Sequence, residues 1–193
     1  MWHNPRNCRS RLIARTALVA LGLTTALNSV IAKADDPDGI VVSTHLGTTL
    51  EPNLGDDGPS FGVSIHGPLL GNGNRRLDWI PWAPSLRVTG SLSRVRRDDD
   101  ALTLATLGPM LRWSLNGGET TVRLSVRPSF VSRSTLGGRD LGGPFQFTSG
   151  IAVSRAISQR WRLGVGLQHS SNARLYDANE GFNLVTIALE HSL

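Results

Sequence analysis

The segment Trp161-Arg-Leu-Gly-Val-Gly-Leu-Gln168 decides the fold. Large apolar residues occupy its odd positions, and arginine, glycine and glutamine occupy its even positions. Successive side chains of a β-strand point to opposite faces of the sheet, so this segment predicts a strand with one apolar face and one face of polar or small residues. Glycine beside arginine on one face suits a narrow space in which small residues leave room for long polar side chains.

This alternation recurs seven more times along the chain, whereas no window after residue 35 keeps apolar residues at helical spacing for three turns. The chain is therefore predicted to be all-β. The other alternating segments span 40–50, 60–69, 82–93, 106–115, 122–130, 145–154 and 185–190.

The polar side of the alternation favours a membrane barrel over a soluble sandwich. A soluble sheet must bury its apolar face against a second layer, and no further segment supplies one. An even strand number, about ten residues per strand and tryptophans near strand ends are typical of bacterial outer-membrane barrels. We predict an eight-stranded antiparallel transmembrane β-barrel, with a soluble β-sandwich or lipocalin-like barrel as the alternative.

Residues 1–34 have the features of a cleaved secretory signal peptide. Four arginines between Arg6 and Arg15 precede the apolar run 16–27, and Ala32 and Ala34 have the A-x-A spacing of a cleavage site. The apolar run falls well short of the ~20 residues that a membrane-spanning helix needs. The predicted domains are a signal peptide, 1–34, and a barrel, 35–193, located in the outer membrane of a Gram-negative cell.

The net charge of +5 comes from the predicted signal peptide, which holds five basic residues and no acidic residue. The rest of the chain has as many basic as acidic residues, so no nucleic-acid partner is predicted. The single cysteine, Cys8, also lies in the signal peptide, which leaves the barrel without disulfides. No clustering of His, Asp and Glu predicts a metal site, and no cofactor is expected.

The links between strands predict which end of the barrel faces outward. If both termini are periplasmic, the short links 116–119 and 157–160 are periplasmic turns, and the link 70–78 is long for a turn on that side. The charged run 94–100 is interpreted as a solvated loop tip. The predicted external loops are 51–58, 132–144 and 173–182.

Arginines on the minor face of the strands are interpreted as a structural row inside the barrel, paired with buried acids such as Glu190. The arginines assigned to this row are Arg87, Arg112, Arg123, Arg127, Arg155 and Arg162.

A polar cluster interrupts the apolar face near the end of the seventh strand. His169 and Ser171 continue the outward row of Leu167, and Asn183 opens the last strand on its outward parity. Residues two apart on a strand lie about 6.6–6.8 Å apart, so imidazole and hydroxyl can lean into contact, as a serine nucleophile and its base do. Polar groups facing lipid are costly unless satisfied, which makes the cluster a candidate site. The alternative is that these are ordinary strand-end residues in the headgroup zone.

Three stretches of the last strands resemble the lipid A 3-O-deacylase family, the PagL-type outer-membrane barrels. They are Phe145-Gln-Phe-Thr-Ser-Gly-Ile151, His169-Ser-Ser-Asn-Ala173 and Asn179-Glu-Gly-Phe-Asn183. The resemblance implies a serine ester hydrolase that removes the 3-O-linked acyl chain of lipid A without a metal. Its implied partner is lipopolysaccharide in the outer leaflet of the outer membrane.

The resemblance also implies a role for each residue of the cluster. Ser171 would be the nucleophile and His169 the general base. Asn179, with Asn172 or nearby backbone N–H groups, would help to bind the oxyanion.

The third member of the catalytic group departs from the family pattern, which has glutamate where this chain has Asn183. An amide oxygen can orient the imidazole but supplies no charge, and an acid-to-amide change in a serine triad can cost on the order of 10⁴ in turnover. We therefore expect a slow enzyme, an enzyme in which Glu180 or Asp177 supplies the acid, or a member that has lost catalysis.

Two other functions are kept open. One is a non-enzymatic small outer-membrane barrel that retains the polar cluster as a relic. The other is an envelope phospholipase or esterase that uses Ser171 and His169 on a different lipid. A homodimer is kept open as well.

Cleavage of the signal peptide is expected before Asp35, with a cut after Ala32 as the second choice. Intact-mass measurement and N-terminal sequencing of the barrel isolated from outer membranes test this. A mature chain that still begins within residues 1–31 would contradict the predicted cleavage.

Overall fold

The computed structural model describes residues 39–50, 58–69 and 75–193. The predicted signal peptide lies outside these residues, as does most of the predicted loop 51–58. No helix in the described part of the chain is long and apolar enough to cross a membrane.

Eight long strands follow one another along the chain, as the alternation predicts. They are β1 (Val41–Leu50), β2 (Pro59–Pro68), β3 (Ser85–Arg97), β4 (Asp100–Leu115), β5 (Thr120–Val131), β6 (Phe145–Ala156), β7 (Trp161–Ser171) and β8 (Phe182–Ser192). Two-residue strands occur at Arg75–Arg76, Thr135–Leu136 and Arg139–Asp140.

Antiparallel pairing closes these strands into a barrel. Strands that are consecutive in the chain pair with each other from β1 to β8. In addition, β1 pairs with β8, and this last pair closes the sheet. The short turns at 116–119 and 157–160 lie at one end, termed the lower end, and the longer links 132–144 and 172–181 lie at the upper end. A closed sheet has no free edge, which is the form of β-structure that a membrane accepts. The eight-stranded antiparallel barrel is confirmed.

Two boundaries differ from the prediction at the hairpin of β3 and β4. Trp82 lies before β3 rather than in it, because Pro81 and Pro84 flank a turn in which Trp82 has a φ of 63°. Only Asp98 and Asp99 of the run 94–100 form a turn. The first four residues of this run continue β3, with Arg94 exposed and Arg97 buried.

The outer wall is apolar and carries aromatic residues at both ends. Leu107, Val126 and Ile187 point outward from its middle and are each about 60% exposed, at 65%, 59% and 59%. Outward phenylalanines occupy the upper end, and Trp113 and Trp161 occupy the lower end. This apolar band between two aromatic girdles is the surface that a lipid bilayer requires. The upper phenylalanines are Phe61, Phe130, Phe145 and Phe147.

The lower part of the interior is polar, and Glu190 pairs there as predicted. Arg123 Nη2 donates to Glu190 Oε1, and Ser154 Oγ donates to Glu190 Oε2 over 3.1 Å. The glutamate side chain is 1% exposed and that of Arg123 is 11% exposed. The predicted interior row is wrong for Arg155, which has the outward parity of β6 and is exposed.

The upper part of the interior is apolar, which the alternation did not predict. Inward residues of β3, β4 and β5 meet Leu136 and Leu141 of the link 132–144 and Phe182 at the start of β8. This cluster closes the barrel beneath the upper loops, and it fixes the backbone beside Asn183. Its members are Val95, Leu102, Leu104, Val131, Leu136, Leu141, Phe182 and Leu184.

Replacing Glu190 with glutamine is expected to lower the free energy of unfolding by about 3–5 kcal/mol, because it leaves the buried Arg123 guanidinium without its counter-charge. Urea titration of the barrel in phospholipid vesicles measures this. The double variant Arg123→Met/Glu190→Gln should lose less than the single variant.

The matched control is Asp78→Asn, which removes the exposed pair of Arg76 and Asp78, whose side chains are 68% and 85% exposed. An exposed pair contributes about 0–1 kcal/mol. An equal loss in Glu190→Gln and Asp78→Asn would contradict the structural role of the interior pair.

Candidate active site

His169 and Ser171 lie on the outer wall, near the upper end of β7. They continue the outward row of Val165 and Leu167, which are 57% and 51% exposed. The intervening Ser170 points inward and is buried, where its hydroxyl lies 2.8 Å from that of Thr148. The histidine and the serine therefore face the lipid side of the wall together.

Asn183 lies directly opposite His169 in the ladder between β7 and β8. His169 Nδ1 donates to Asn183 Oδ1 over 2.9 Å. A side-chain amide oxygen only accepts hydrogen bonds, so this contact requires the imidazole proton to be on Nδ1. In the neutral imidazole this tautomer leaves Nε2 unprotonated, which is the state that a general base needs.

Asn179 and Asn172 come together in the link between β7 and β8. The backbone N–H of Asn172 donates to Asn179 Oδ1 over 2.9 Å. With its oxygen held in this way, the exposed Asn179 side chain keeps its NH₂ group as a hydrogen-bond donor.

Asn172 has a different environment from that of an oxyanion donor. Its side chain is fully buried, and Nδ2 donates to the carbonyl oxygens of Leu141 at 2.8 Å and Ala178 at 2.6 Å. Its backbone N–H already donates to Asn179 Oδ1. The Asn172 side chain therefore holds the upper loops together beneath the site.

Glu180 points away from His169. Its Oε2 accepts a hydrogen bond from the backbone N–H of Asp140 over 2.7 Å, and its own N–H donates to the Asp140 carbonyl over 3.1 Å. The carboxylate thus fastens the site loop to the short hairpin of 135–140. In this structure the partner of the imidazole is Asn183 and not Glu180.

Gly181 is a site residue that the sequence reasoning missed. A side chain there would bring its Cβ to 2.5 Å from Ser170 O, 3.0 Å from Ser171 Cβ and 3.1 Å from His169 Cε1. Arg139 Nη1 donates to the Gly181 carbonyl over 2.7 Å and holds this close approach. The glycine inside Asn179-Glu-Gly-Phe-Asn183 was the available signal.

Ser149 is a second hydroxyl beside the histidine that the sequence reasoning missed. It lies opposite His169 in the ladder between β6 and β7, and it faces outward. Ser171 faces Phe147 in the same ladder. The upper aromatic girdle therefore passes beside the site.

An apolar groove runs along the outer wall and ends at the polar cluster. In this described part of the wall, residues 107–109 of β4 have no paired residue on β5. Pro109 and Pro128 lie in this gap and have no backbone N–H to donate. Leu167 lines the groove, whereas Phe145 and Phe147 lie outside it. Its principal lining residues are Pro109, Leu111, Leu124, Val126, Ile151 and Leu167, with Ser149, His169 and Asn183 at its polar end.

Residues 60–192 match the family described as lipid A 3-O-deacylase (PagL). The chain belongs to this family. The family name agrees with the resemblance found in the last three strands. The predicted resemblance is therefore confirmed. The predicted outer-membrane location and the predicted function, lipid A 3-O-deacylation by a hydrolase, are confirmed with it.

One curated relative has the name of this family, and solved structures were compared for fold. Lipid A deacylase PagL of Bordetella bronchiseptica is 24% identical over 177 residues, which cover 86% of this chain and 89% of the relative. The crystal structure of the outer membrane enzyme PagL is similar in fold, with a TM-score of 0.61 at 16% identity over 79% of this chain and 99% of that one. Neisserial surface protein A has a TM-score of 0.46 at 15% identity.

Gly181→Ala is expected to lower deacylase activity by about tenfold or more, because the added Cβ would push Ser171 and the His169 ring from their present positions. Release of the 3-linked acyl chain from purified lipid A measures this. The barrel should still fold, as judged by its gel shift on heating.

Gly67→Ala is the matched control, because a Cβ there meets only Ile40 Cγ1, at 3.4 Å. Full activity in Gly181→Ala would contradict the need for this close approach.

Proposed function

We propose that Ser171 and His169 carry out the deacylation by way of an acyl-enzyme. His169 Nε2 takes the proton of Ser171 Oγ as this oxygen attacks the carbonyl carbon of the 3-O-linked ester. The imidazolium then protonates the departing 3-oxygen of the sugar, and a water activated by the same nitrogen releases the fatty acid. The hydrogen bond from His169 Nδ1 to Asn183 Oδ1 is the observation that carries this proposal, because it leaves Nε2 free to accept the serine proton.

Asn179 is proposed as the side-chain donor to the oxyanion. The tetrahedral intermediate carries negative charge on the former carbonyl oxygen, and a donor held in advance stabilises that charge. The contact from Asn172 N to Asn179 Oδ1 supports this role, since it fixes the amide oxygen and leaves the NH₂ group of this exposed side chain as the donor.

The substrate is proposed to approach sideways, within the leaflet. Ser171 lies beside Phe147 in the upper aromatic girdle, which marks the boundary between acyl chains and headgroups. The ester bonds of lipid A lie at this boundary when the upper end faces outward. The groove that ends at His169 gives the acyl chain an apolar path along the wall.

Asn183 is proposed as the third member of the catalytic group, in a slow enzyme. Its amide oxygen holds the imidazole in the required tautomer but supplies no charge to stabilise the imidazolium. Glu180, bonded to Asp140 N, is proposed as a residue of the loop and not as the catalytic acid.

Residues 1–34 are proposed as the signal peptide that directs the barrel 35–193 to the envelope. The homodimer stays a prediction.

Ser171→Ala is expected to lower lipid A deacylation by about 10³-fold or more, because it removes the oxygen proposed to form the acyl-enzyme. Mass spectrometry of lipid A from cells that produce each variant, with purified enzyme on lipid A in detergent, measures this. A phospholipid release assay on the same samples tests the phospholipase alternative.

Ser149→Ala is the matched control, because Ser149 is the other outward hydroxyl beside His169. It should keep activity within a few-fold of the wild type. Loss of activity in Ser149→Ala with activity retained in Ser171→Ala would refute the assigned nucleophile.

Asn183→Glu is expected to raise turnover by about ten- to 10⁴-fold, because a carboxylate adds the charge that the amide lacks. Asn183→Ala should lower turnover by about tenfold, since the imidazole loses its orienting acceptor. Initial rates of acyl release at saturating lipid A measure both changes.

Glu180→Gln separates the two possible acids. Glutamine still offers an oxygen to Asp140 N–H but has no charge. Activity unchanged within a few-fold is expected. A large fall would identify Glu180 as the acid and overturn the role proposed for Asn183.

A further inference from the structure

The link between β2 and β3 is the feature of the lower end that catalysis leaves unexplained. Its described part begins with Arg75–Arg76, which pairs with Ser85 and Leu86 and extends the hairpin below β2. The loop 77–84 that follows is closed by a hydrogen bond from Leu77 N to Pro84 O over 2.9 Å. It is much longer than the other two lower turns.

Two tryptophans at the tip of this loop are the most exposed large apolar residues in the described part of the chain. Trp79 is 80% exposed and Trp82 is 85% exposed. Trp82 and Ala83 have left-handed backbone angles, with φ of 63° and 41°, which non-glycine residues seldom adopt. Such strain persists where a particular side-chain direction is needed, and here it turns the Trp82 indole away from the protein.

A hydrogen bond fixes the loop against the outer wall. Trp113 Nε1 donates to the Pro81 carbonyl over 3.2 Å. Trp113 faces outward from β4, two residues before the lower end of that strand. The loop therefore folds back toward the membrane side of the barrel instead of extending below it.

The tryptophans of the barrel all lie at this level. Of the five in the chain, Trp2 precedes the barrel, and the other four are Trp79, Trp82, Trp113 and Trp161. Indole rings prefer the boundary between lipid headgroups and acyl chains, because they are apolar rings that carry one N–H donor. The loop adds two indoles to the lower girdle on the side of β3 and β4.

We propose that the loop 77–84 is a membrane anchor that inserts Trp79 and Trp82 into the headgroup boundary of the phospholipid leaflet, on the side opposite lipid A. A second protein copy fits the loop less well. Two indoles cover at most about 500 Å², which is below the ~800 Å² per partner of a stable interface.

The anchor lies at the other end of the barrel from the catalytic residues. It does not depend on the proposed chemistry. Its expected effect is on how deeply and at what tilt the barrel lies in the bilayer.

Fluorescence quenching in vesicles tests the anchor on the full-length chain. Trp79→Cys and Trp82→Cys are made in a Cys8→Ser background, which gives each protein one thiol for an environment-sensitive dye. The vesicles contain phosphatidylethanolamine and phosphatidylglycerol, with a nitroxide on acyl carbon 5 or carbon 12. Asp99→Cys, at the upper hairpin tip, is the matched control.

The dye at positions 79 and 82 should be quenched by the carbon-5 nitroxide about threefold or more above the dye at position 99, and more than by the carbon-12 nitroxide. Trp113→Phe, which removes the indole donor to Pro81, should reduce this difference. Quenching by aqueous iodide but not by the nitroxide lipids would place the loop in water and overturn the proposal. Protection that appears only at high protein-to-lipid ratio would assign the loop to a second copy and overturn it too.

Discussion

The ladder between β1 and β8 is the constraint on which the rest of the molecule depends. It pairs Val41 with Ser192 and Leu50 with Asn183, and so joins the two ends of an eight-stranded meander. A membrane offers no water to satisfy a free strand edge, so the sheet must close before its apolar face can meet lipid. Closure also makes the interior narrow, so that every inward side chain must fit with those across the barrel.

The narrow interior explains how charged groups are accommodated in the barrel. Glu190 takes hydrogen bonds from Arg123 and Ser154, while Arg127 donates to the neutral Gln168 over 2.8 Å. A buried charge is tolerated when it is paired and hydrogen-bonded. Small residues make this possible, since Gly164 lies against both Ser154 and Glu190. The polar interior is therefore a packed structural element.

The same alternation that directs polar side chains into the interior also places the site on the outer wall. On β7, the inward Ser170 is hydrogen-bonded within the barrel. Because side chains alternate along a strand, its neighbours His169 and Ser171 face lipid. A lipid substrate can reach them without leaving its leaflet. The upper loops then complete the site, because Arg139 holds Gly181 and Asp140 holds Glu180 from the adjacent link. Phe182, buried in the upper apolar cluster, anchors the residue next to Asn183.

The sequence by itself determined the strand count, the outward parity of His169, Ser171 and Asn183, and the pairing of Glu190 with an interior arginine. These follow from a period of two, which any strand imposes on its side chains. Where a turn interrupts this period, the sequence pattern alone did not locate the end of the strand. Trp82 continues the alternation but lies in a turn, because two prolines stop the strand. Only the tertiary structure decided the role of Asn172, the direction of Glu180 and the need for glycine at 181. Each depends on contacts between loops that are distant in sequence, and their geometry is set by the closure of the barrel and by the apolar cluster beneath them.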